Sequence, residues 1–326
     1  MIVTFTANPS LDRTIELGSA LDRGGVQRAF ATQEQPGGKG VNVSRALMAS
    51  GLETIAVLPG TSADPMLVAL RAEKIPHASL AIAGRIRSNI TLTEPDGTTT
   101  KINEPGPALD ESDEIALIDL VVSRARDAAW LVLAGSLPPG LPVDFYARVV
   151  TAVRNAGPGA EGTTPRIAVD SSGAPMAALI ASGVGVDLIK PNAEELAEIT
   201  GIGDGHTLES DPLAAYSAAQ SLVERGCAAV LATLGAKGAV LVTAEGGWMA
   251  TMPPIVPVST VGAGDSSLAG YLVSDEAGGT PHQRLAQAVA HGSAAASLPG
   301  STMPATAQTR PETATVTVLT PISADR

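Results

Sequence analysis

Short β-branched apolar runs alternate along the chain with longer Ala- and Leu-rich segments of helical period. Runs of the first kind are typical of strands buried on both faces, and the second kind predicts amphipathic helices. The predicted strands are 2–6, 54–58, 130–134, 166–169, 187–189, 229–233 and 239–242. The predicted helices are 41–50, 65–73, 111–128, 143–155, 193–200, 212–225, 266–274 and 283–298. This alternation predicts an α/β, doubly wound fold with a mostly parallel sheet flanked by helices.

Two segments, about 14–32 and 85–103, break the alternation because they are more polar and change polarity at every second residue. The second contains a clear turn at Pro95-Asp96-Gly97. We interpret them as strands of a small β-sheet inserted into a single domain that spans 1–326, in a position suited to a lid. A pair of ordinary surface hairpins fits the same pattern.

Composition narrows the class of partner. Hydrophobic residues make up 44% of the 326 residues, enough for a core, and 33 acidic against 21 basic side chains give a net charge of −12. An acidic protein with 2% aromatic residues does not suit nucleic acid. A single cysteine cannot form an internal disulfide. With no signal-like N-terminus and no long apolar stretch, we expect a cytoplasmic protein without a membrane span.

The strongest chemical signal is the run Gly262-Ala263-Gly264-Asp265, directly before a predicted helix. Glycines let backbone N–H groups converge on an anion, and the start of a helix favours negative charge. Asp265 could simply cap the helix. A carboxylate beside an anion-binding loop is also what phosphoryl transfer requires, since it can take the proton of an attacking hydroxyl. The run is not a P-loop, because no Gly-Lys-Ser/Thr follows the glycines.

Two further motifs lie near the N-terminus. In Gly37-Gly38-Lys39-Gly40-Val41-Asn42 the glycines allow close backbone approach, while Lys39 and Asn42 offer a charge and an amide to a polar ligand. A plain loop is compatible with the same residues. Asp12 follows the first predicted strand, at the edge where open α/β sheets bind ligands. It could equally form an Asx turn.

The combination of these motifs is more specific than each alone. A Gly-Gly-Lys-Gly-x-Asn near the N-terminus with a Gly-Ala-Gly-Asp near the C-terminus resembles the ribokinase-like, phosphofructokinase B family of carbohydrate kinases over about 1–300. Intermediate landmarks match in the same order, namely Gly135-Ser136-Leu137-Pro138-Pro139-Gly140, Asp170-Ser171-Ser172-Gly173, Lys190-Pro191-Asn192-Ala193-Glu194-Glu195 and Thr233-Leu234-Gly235-Ala236-Lys237-Gly238.

The resemblance implies a role for each matching residue. Asp265 would be the catalytic base, with the anion hole formed by Gly262, Ala263 and Gly264. The residues implied to bind the nucleotide ATP are Lys190, Asn192, Thr233, Gly235, Ala236, Lys237, Gly238 and Gly264. Glu195 would govern Mg²⁺ through water, with Asp170 assisting. The residues implied to contact sugar hydroxyls are Asp12, Gly38 and Asn42, and those implied to meet the phosphate already on the substrate are Lys39, Arg87 and Lys101.

The substrate follows from likeness within the family. The opening 8–12 resembles the hexose-phosphate kinase branch of the family. The stretches 89–97 and 101–106 are most similar to bacterial 1-phosphofructokinases, which implies transfer from ATP to the 6-hydroxyl of fructose 1-phosphate. Tagatose 6-phosphate and fructose 6-phosphate are the nearest alternatives, and a sugar-phosphate sensor without turnover is the alternative outside enzymes. Relatives also suggest a homodimer through the lid. Four of the five lysines fall in the quoted motifs, so we expect a locally positive cleft on an acidic protein.

Overall fold

The computed structural model describes residues 1–160 and 162–319, so residue 161 and the end of the predicted domain, 320–326, lie outside the described residues. Its strands are β1 Ile2–Thr6, β2 Ser10–Leu17, β3 Ala29–Gly37, β4 Thr54–Pro59, β5 His77–Leu80, β6 Arg87–Thr93, β7 Thr99–Asn103, β8 Trp130–Ala134, β9 Arg166–Asp170, β10 Leu188–Ile189, β11 Ala229–Thr233, β12 Ala239–Thr243, β13 Gly246–Thr251 and β14 Thr315–Leu319. Its helices are α1 Lys39–Ala49, α2 Pro65–Ala72, α3 Glu111–Ala125, α4 Phe145–Asn155, α5 Gly173–Ala181, α6 Ala193–Thr200, α7 Gly205–Ser210, α8 Pro212–Glu224, α9 Ala263–Glu276 and α10 Pro281–Ala296.

The large sheet has the order β14-β13-β12-β11-β10-β9-β8-β1-β4-β5. The strands from β11 to β5 pair in parallel, and β12, β13 and β14 extend that sheet by antiparallel pairing. Alternate strand residues enter different cores: Phe5 packs in the core that contains α3, α4 and α8, and Ile2 in the core that contains α1, α9 and α10. The predicted α/β architecture, with helices on both faces of a mostly parallel sheet, is therefore confirmed.

Four strands form a separate small sheet in the order β3-β2-β6-β7. Strands β2 and β3 extend beyond the predicted segment 14–32 at both ends, because β2 begins at Ser10 and β3 continues to Gly37, just before α1. Asp12 consequently lies within a strand, between Gln35 of β3 and Asn89 of β6, and not in an Asx turn. This register places residues from the second exceptional segment directly beside those from the first.

The two helices that carry the glycine motifs begin earlier than predicted. The residue before α1 is Gly38, with φ of 110°, and the residue before α9 is Gly262, with φ of 77°. Neither glycine has a side chain that could cap its helix. In α1 the N–H of Val41 donates to Oγ1 of Thr6 at 3.1 Å, and in α9 the N–H of Ala263 donates to the carbonyl of Thr260 at 3.3 Å. Within the described ranges, no helix is long and apolar enough to cross a membrane.

Candidate active site

One hydrogen bond joins the N-terminal and C-terminal motifs. Asn42, in the first turn of α1, donates its Nδ2 to Oδ2 of Asp265, in the first turn of α9, over 2.8 Å. The two residues are 223 positions apart in the chain and both are buried. The fold therefore brings the Gly-Gly-Lys-Gly run and the Gly-Ala-Gly-Asp run to one place, with the starts of two helices beside it.

Glycine is required before each of these helices. A Cβ at Gly38 would lie 2.8 Å from Cγ2 of Thr6 and 3.3 Å from the Cα of Pro9, at a φ that other residues rarely adopt. A Cβ at Gly262 would lie 2.7 Å from Cε of Met303, again at positive φ. Close packing thus explains Gly38, and the positive φ explains Gly262, where the atoms in the way belong to the flexible end of the Met303 side chain. Met303, which no sequence signal marked, packs against Gly262 of the Gly-Ala-Gly-Asp run from the C-terminal segment.

The carboxyl of Asp265 has a raised pKa, about 6. Burial is the largest cause, and the negative charge of Asp170 adds to it. The hydrogen bond from Asn42 and the charges of Lys190 and Lys39 act in the opposite direction. A carboxylate with this pKa holds a proton more strongly than an exposed one, which suits a general base near neutral pH.

Two lysines meet on one buried carboxylate. Nζ of Lys39 lies 2.7 Å from Oδ1 of Asp170, and Nζ of Lys190 lies 3.0 Å from Oδ2. Burial by itself would raise the pKa of Asp170, but the two lysines more than reverse this and hold it below the usual value. Lys39 also lies 3.6 Å from Oε1 of Glu195. The family resemblance implies that Lys39 meets the substrate's phosphate. In the structure its ammonium lies among these carboxylates.

Asn192 and Glu195 form the start of α6. The Oδ1 of Asn192 accepts from the backbone N–H of Glu195 at 2.8 Å, and Oε2 of Glu195 accepts from the backbone N–H of Asn192 at 2.9 Å. This capping box leaves Oε1 of Glu195 for other partners. Across the described residues there is no group of three His, Cys, Asp or Glu side chains that could hold a metal ion.

The segment predicted to hold the nucleotide lies beside Asn192. Thr233, at the end of β11, pairs with Asn192 through an isolated parallel bridge, and a short 3₁₀ turn, Gly235–Lys237, follows. Gly235, Ala236 and Lys237 are exposed on this turn. A Cβ at Gly238 would collide with the carbonyl oxygen of Ala250, so this glycine closes the turn against β13.

An open cleft of about 560 Å³ adjoins this turn, lined by residues that include Asn192, Glu209, Thr233 and Gly235. It stands between the start of α6 and the turn after β11. Gly264 connects this side to Asp265: Nζ of Lys190 lies 3.3 Å from where a Cβ on Gly264 would be. The residues predicted to bind the nucleotide and the Gly-Ala-Gly-Asp run are therefore contiguous.

Asp12 is held by its neighbours in the small sheet. Its Oδ1 accepts from the hydroxyl of Ser10 at 2.6 Å and from Nδ2 of Asn89 at 3.1 Å. Burial raises the pKa of Asp12, and these hydrogen bonds, together with the charges of Arg87 and Lys101, partly offset that rise. Ser10 and Asn89 were not among the predicted site residues, because only the register of β2 and β6 brings them to Asp12.

Arg87 lies at the base of the small sheet. It donates through Nη2 to the carbonyl of Asn8 at 3.0 Å and through Nη1 to the carbonyl of Glu104 at 3.1 Å. Burial lowers the pKa of its guanidinium, and Asp12 opposes this. Lys101, on β7, is exposed. Arg87 also lines a cleft of about 480 Å³ whose opposite wall is the loop 136–141.

Four buried polar atoms around Asp12 and Asp265 have no hydrogen-bond partner within the part of the chain that the structure describes. They are Oδ1 of Asn8, Oδ1 of Asn42, Oδ1 of Asn89 and Nε of Arg87. Buried polar atoms are normally satisfied, so such a group points to a missing ligand. Three acceptors and one cationic donor match a molecule that carries hydroxyl groups and an anion.

Comparison with known proteins agrees with this chemistry. Residues 6–308 match the model of the pfkB family carbohydrate kinases. A 1-phosphofructokinase from Xanthomonas campestris is 36% identical over 277 residues, 83% of this chain and 83% of that protein. The ATP-dependent 6-phosphofructokinase isozyme 2 of Escherichia coli is 32% identical over 298 residues, 90% of this chain and 92% of that protein.

Solved structures extend the similarity to the fold. The structure of phosphofructokinase-2 from Escherichia coli in complex with substrates and products has a TM-score of 0.83 at 29% identity, covering 94% of this chain and 96% of that chain. The tetrameric inhibited form of the same Escherichia coli protein has a TM-score of 0.81 at 30% identity, covering 92% of this chain and 95% of that chain.

Proposed function

The chain belongs to the pfkB family of carbohydrate kinases, and from this premise we propose that it transfers the γ-phosphoryl group of ATP to the 6-hydroxyl of fructose 1-phosphate. Two relatives, a 1-phosphofructokinase and an ATP-dependent 6-phosphofructokinase isozyme 2, support a kinase that acts on a sugar phosphate and uses ATP. We choose fructose 1-phosphate among the hexose phosphates because the 1-phosphofructokinase from Xanthomonas campestris is 36% identical to this chain.

The observation that carries the proposal is the side chain of Asn42. Its Nδ2 fixes the carboxylate of Asp265, and its Oδ1 is buried without a partner among the described residues. A sugar hydroxyl that donates to this Oδ1 is therefore bound next to the carboxylate that must deprotonate the attacking hydroxyl. The same side chain orients the base and binds the acceptor molecule.

The chemical step then needs few parts. Asp265 takes the proton of the 6-hydroxyl as its oxygen attacks the γ-phosphorus, and the bond to the oxygen bridging the β- and γ-phosphorus breaks, so that ADP leaves. The N–H groups of Gly262, Ala263 and Gly264, at the uncapped start of α9, stabilise the charge on the phosphoryl oxygens. The nucleotide lies along Lys190, Asn192 and the turn that follows Thr233.

On the sugar side, Asp12 and Asn89 accept hydrogen bonds from the hydroxyl groups of the sugar. Gly38, which has no side chain, lets the backbone come close to these hydroxyl groups. Arg87 and Lys101 bind the phosphate already on the substrate, for which Nε of Arg87 offers a buried donor without a partner in the described chain. The small sheet, as a lid over this part of the site, would exclude water, a competing nucleophile at the γ-phosphate.

Mg²⁺ fits this site only as a companion of the nucleotide. Glu195 keeps Oε1 outside its capping box, and it would hold the ion through water. Both oxygens of Asp170 are paired with lysines, which argues against its predicted role as a metal ligand. When bound with ATP, Mg²⁺ neutralises phosphate charge.

The test is an ADP-release assay on the purified chain with fructose 1-phosphate, tagatose 6-phosphate, fructose 6-phosphate and ribose. We expect kcat/KM for fructose 1-phosphate to exceed the others by at least about tenfold, a difference of roughly 1.4 kcal/mol in transition-state binding. A higher value for fructose 6-phosphate or tagatose 6-phosphate would reassign the substrate within the family. Thermal stabilisation by a sugar phosphate without ADP release would instead identify a sensor.

A further inference from the structure

The family resemblance implies separate roles for two lysines, Lys190 at the nucleotide and Lys39 at the phosphate of the sugar. In the structure both lysines contact the same carboxylate, that of Asp170. One carboxylate with its side chain fully buried receives two ammonium groups, at 2.7 Å from Lys39 and at 3.0 Å from Lys190. Each ammonium group carries three N–H donors, and its contact with Asp170 uses one of them. Both lysines therefore keep donors that can meet a further anion.

The position of the two ammonium groups identifies that anion. Lys39 is the first residue of α1, and Lys190 lies against Gly264 in the first turn of α9. The two lysines thus lie between two helix starts. Among the charges that act on Lys39 are Asp170, Glu195 and Asp265. Lys39 is therefore close to the base and to the nucleotide side at once, which is where a phosphoryl group passes during transfer.

The substrate's own phosphate has a different set of cations. The positive charges that act on Asp12 are Arg87 and Lys101, both from the small sheet. Arg87 in turn contacts the backbone of Asn8 and Glu104, and none of its contacts involves Asp170. The cations of the site thus separate into one group on the small sheet and one group on Asp170.

We propose that Lys39 is a catalytic residue that contacts the phosphoryl group in transit, and that Asp170 is a positioning residue that holds Lys39 and Lys190 for this purpose. This inference rests on the proposed function and refines it. No covalent bond to either lysine forms or breaks. The two ammonium groups offset the negative charge that the three equatorial oxygens carry between the leaving and attacking oxygens.

The protonation of Lys39 agrees with this role. Burial lowers the pKa of its ammonium, but Asp170, Glu195 and Asp265 more than compensate, so that its pKa lies above the usual value. Lys39 therefore stays cationic over the pH range in which a kinase works. It cannot replace Asp265 as the base.

The first experiment compares Lys39→Met with Arg87→Met, which removes one positive charge from the other group. Steady-state kinetics with fructose 1-phosphate and ATP are measured for both. We expect Lys39→Met to lower kcat by about 10²–10³, the range for loss of one group that stabilises transition-state charge, with KM for the sugar phosphate within about threefold. Arg87→Met should raise that KM by more than about tenfold.

The outcome that overturns the assignment is equally specific. If Lys39→Met raises KM for the sugar phosphate by a larger factor than it lowers kcat, Lys39 binds the substrate's phosphate and not the phosphoryl group in transit. Lys39→Arg should recover part of the lost kcat because it keeps the charge. A wild-type chain inactive on every sugar phosphate would refute the proposed function itself, so the two failures are distinguishable.

The second experiment tests whether Asp170 acts through the lysines. We compare kcat for Asp170→Asn, Lys39→Met and the double variant, with circular dichroism to confirm that each is folded. A positioning role predicts strong non-additivity, with the double variant losing no more than about threefold beyond the worse single variant. Losses in kcat that multiply would show that Asp170 acts independently. Should Asp170→Asn not fold, the kinetics of Lys190→Met decide: a fall in kcat like that of Lys39→Met supports the pair, and normal kcat refutes it.

Discussion

Asp265 can serve as a base near neutral pH because its carboxyl is buried beside the second carboxylate, Asp170. Asp265 and Asn42 could both be identified from the sequence, because each lies in a glycine-rich motif. The partners of Lys39 could not be predicted in the same way. They depend on where β9 ends and where α6 begins, whereas the placement of Lys39 with Arg87 came from the family resemblance. Asn89 begins a stretch that resembles the family but was given no role in the site, since only strand register brings it to Asp12.

The raised pKa of Asp265 predicts the pH dependence of the reaction. The base must be deprotonated, so kcat/KM should fall about tenfold per pH unit below the pKa of about 6 and level off above it. The measurement is kcat/KM for fructose 1-phosphate between pH 4.5 and 8, with circular dichroism at each pH to confirm that the chain stays folded. An acidic limb centred near pH 4 would show that Asp265 titrates like an exposed carboxyl, against this account.

At the scale of elements, the site depends on where α1 and α9 begin. Strongly apolar strands such as β1 and β8 were predicted to the residue, since their runs are short and bounded. The starts of α1 and α9 were predicted two and three residues late, because their glycine motifs lack helical periodicity. β5 and α5 were missed: β5 has only four residues, and α5 begins with Gly-Ala-Pro, which reads as a turn.

Gly38→Ala tests the start of α1. The new Cβ would meet Thr6 and Pro9, and the residue would be held at a φ of 110°, so α1 must shift and carry Asn42 away from Asp265. We expect kcat/KM to fall more than about tenfold, the factor that corresponds to roughly 1.4 kcal/mol. Gly51→Ala is the matched control, because Gly51 follows the end of α1 with φ of 82° and nothing within 4 Å.

Both substitutions carry the conformational cost of positive φ, about 1–2 kcal/mol of stability. Only Gly38→Ala adds the collision beside the site. Gly51→Ala should therefore lower the Tm and leave kcat/KM near wild type. Wild-type kcat/KM in Gly38→Ala would mean that α1 does not need this close approach.

At the scale of the whole molecule, the net charge of −12 argues against a surface that binds a polyanion such as nucleic acid, but it allows a site for small phosphates. On the small sheet, Arg87 and Lys101 are the cations that act on Asp12, and a positive cleft there stays a prediction. The expectation of a positive cleft does not hold around Lys39 and Lys190, where Asp170, Glu195 and Asp265 contribute three negative charges to two positive ones. Sequence could count the lysines, but the opposing carboxylates are assembled only by the fold.

The small sheet also supports a prediction about assembly. Apolar side chains stand exposed in this part of the chain, among them Phe30 of β3 at 81% and Ile102 of β7 at 53%. We propose that they are covered in a homodimer formed through the small sheet. Sedimentation velocity at about 10 μM should give a dimer for wild type and a monomer for Phe30→Asp.

The control for assembly is Val318→Asp, which places the same charge at a residue 69% exposed on β14, the edge strand of the large sheet. This variant should remain dimeric. A monomeric wild type, or a Phe30→Asp variant that sediments as a dimer, would contradict an interface through the small sheet.

The variant Asp265→Asn shows whether Asp265 takes the proton of the attacking hydroxyl of the sugar phosphate. The amide can still accept the hydrogen bond from Asn42, and removing a carboxyl whose pKa is raised by folding should leave the Tm at pH 7 no lower than that of wild type. With fructose 1-phosphate and ATP both saturating, we expect kcat to fall by about 10²–10⁴ while calorimetry finds ATP affinity within about threefold of wild type. A folded variant that keeps near-normal kcat would contradict the account.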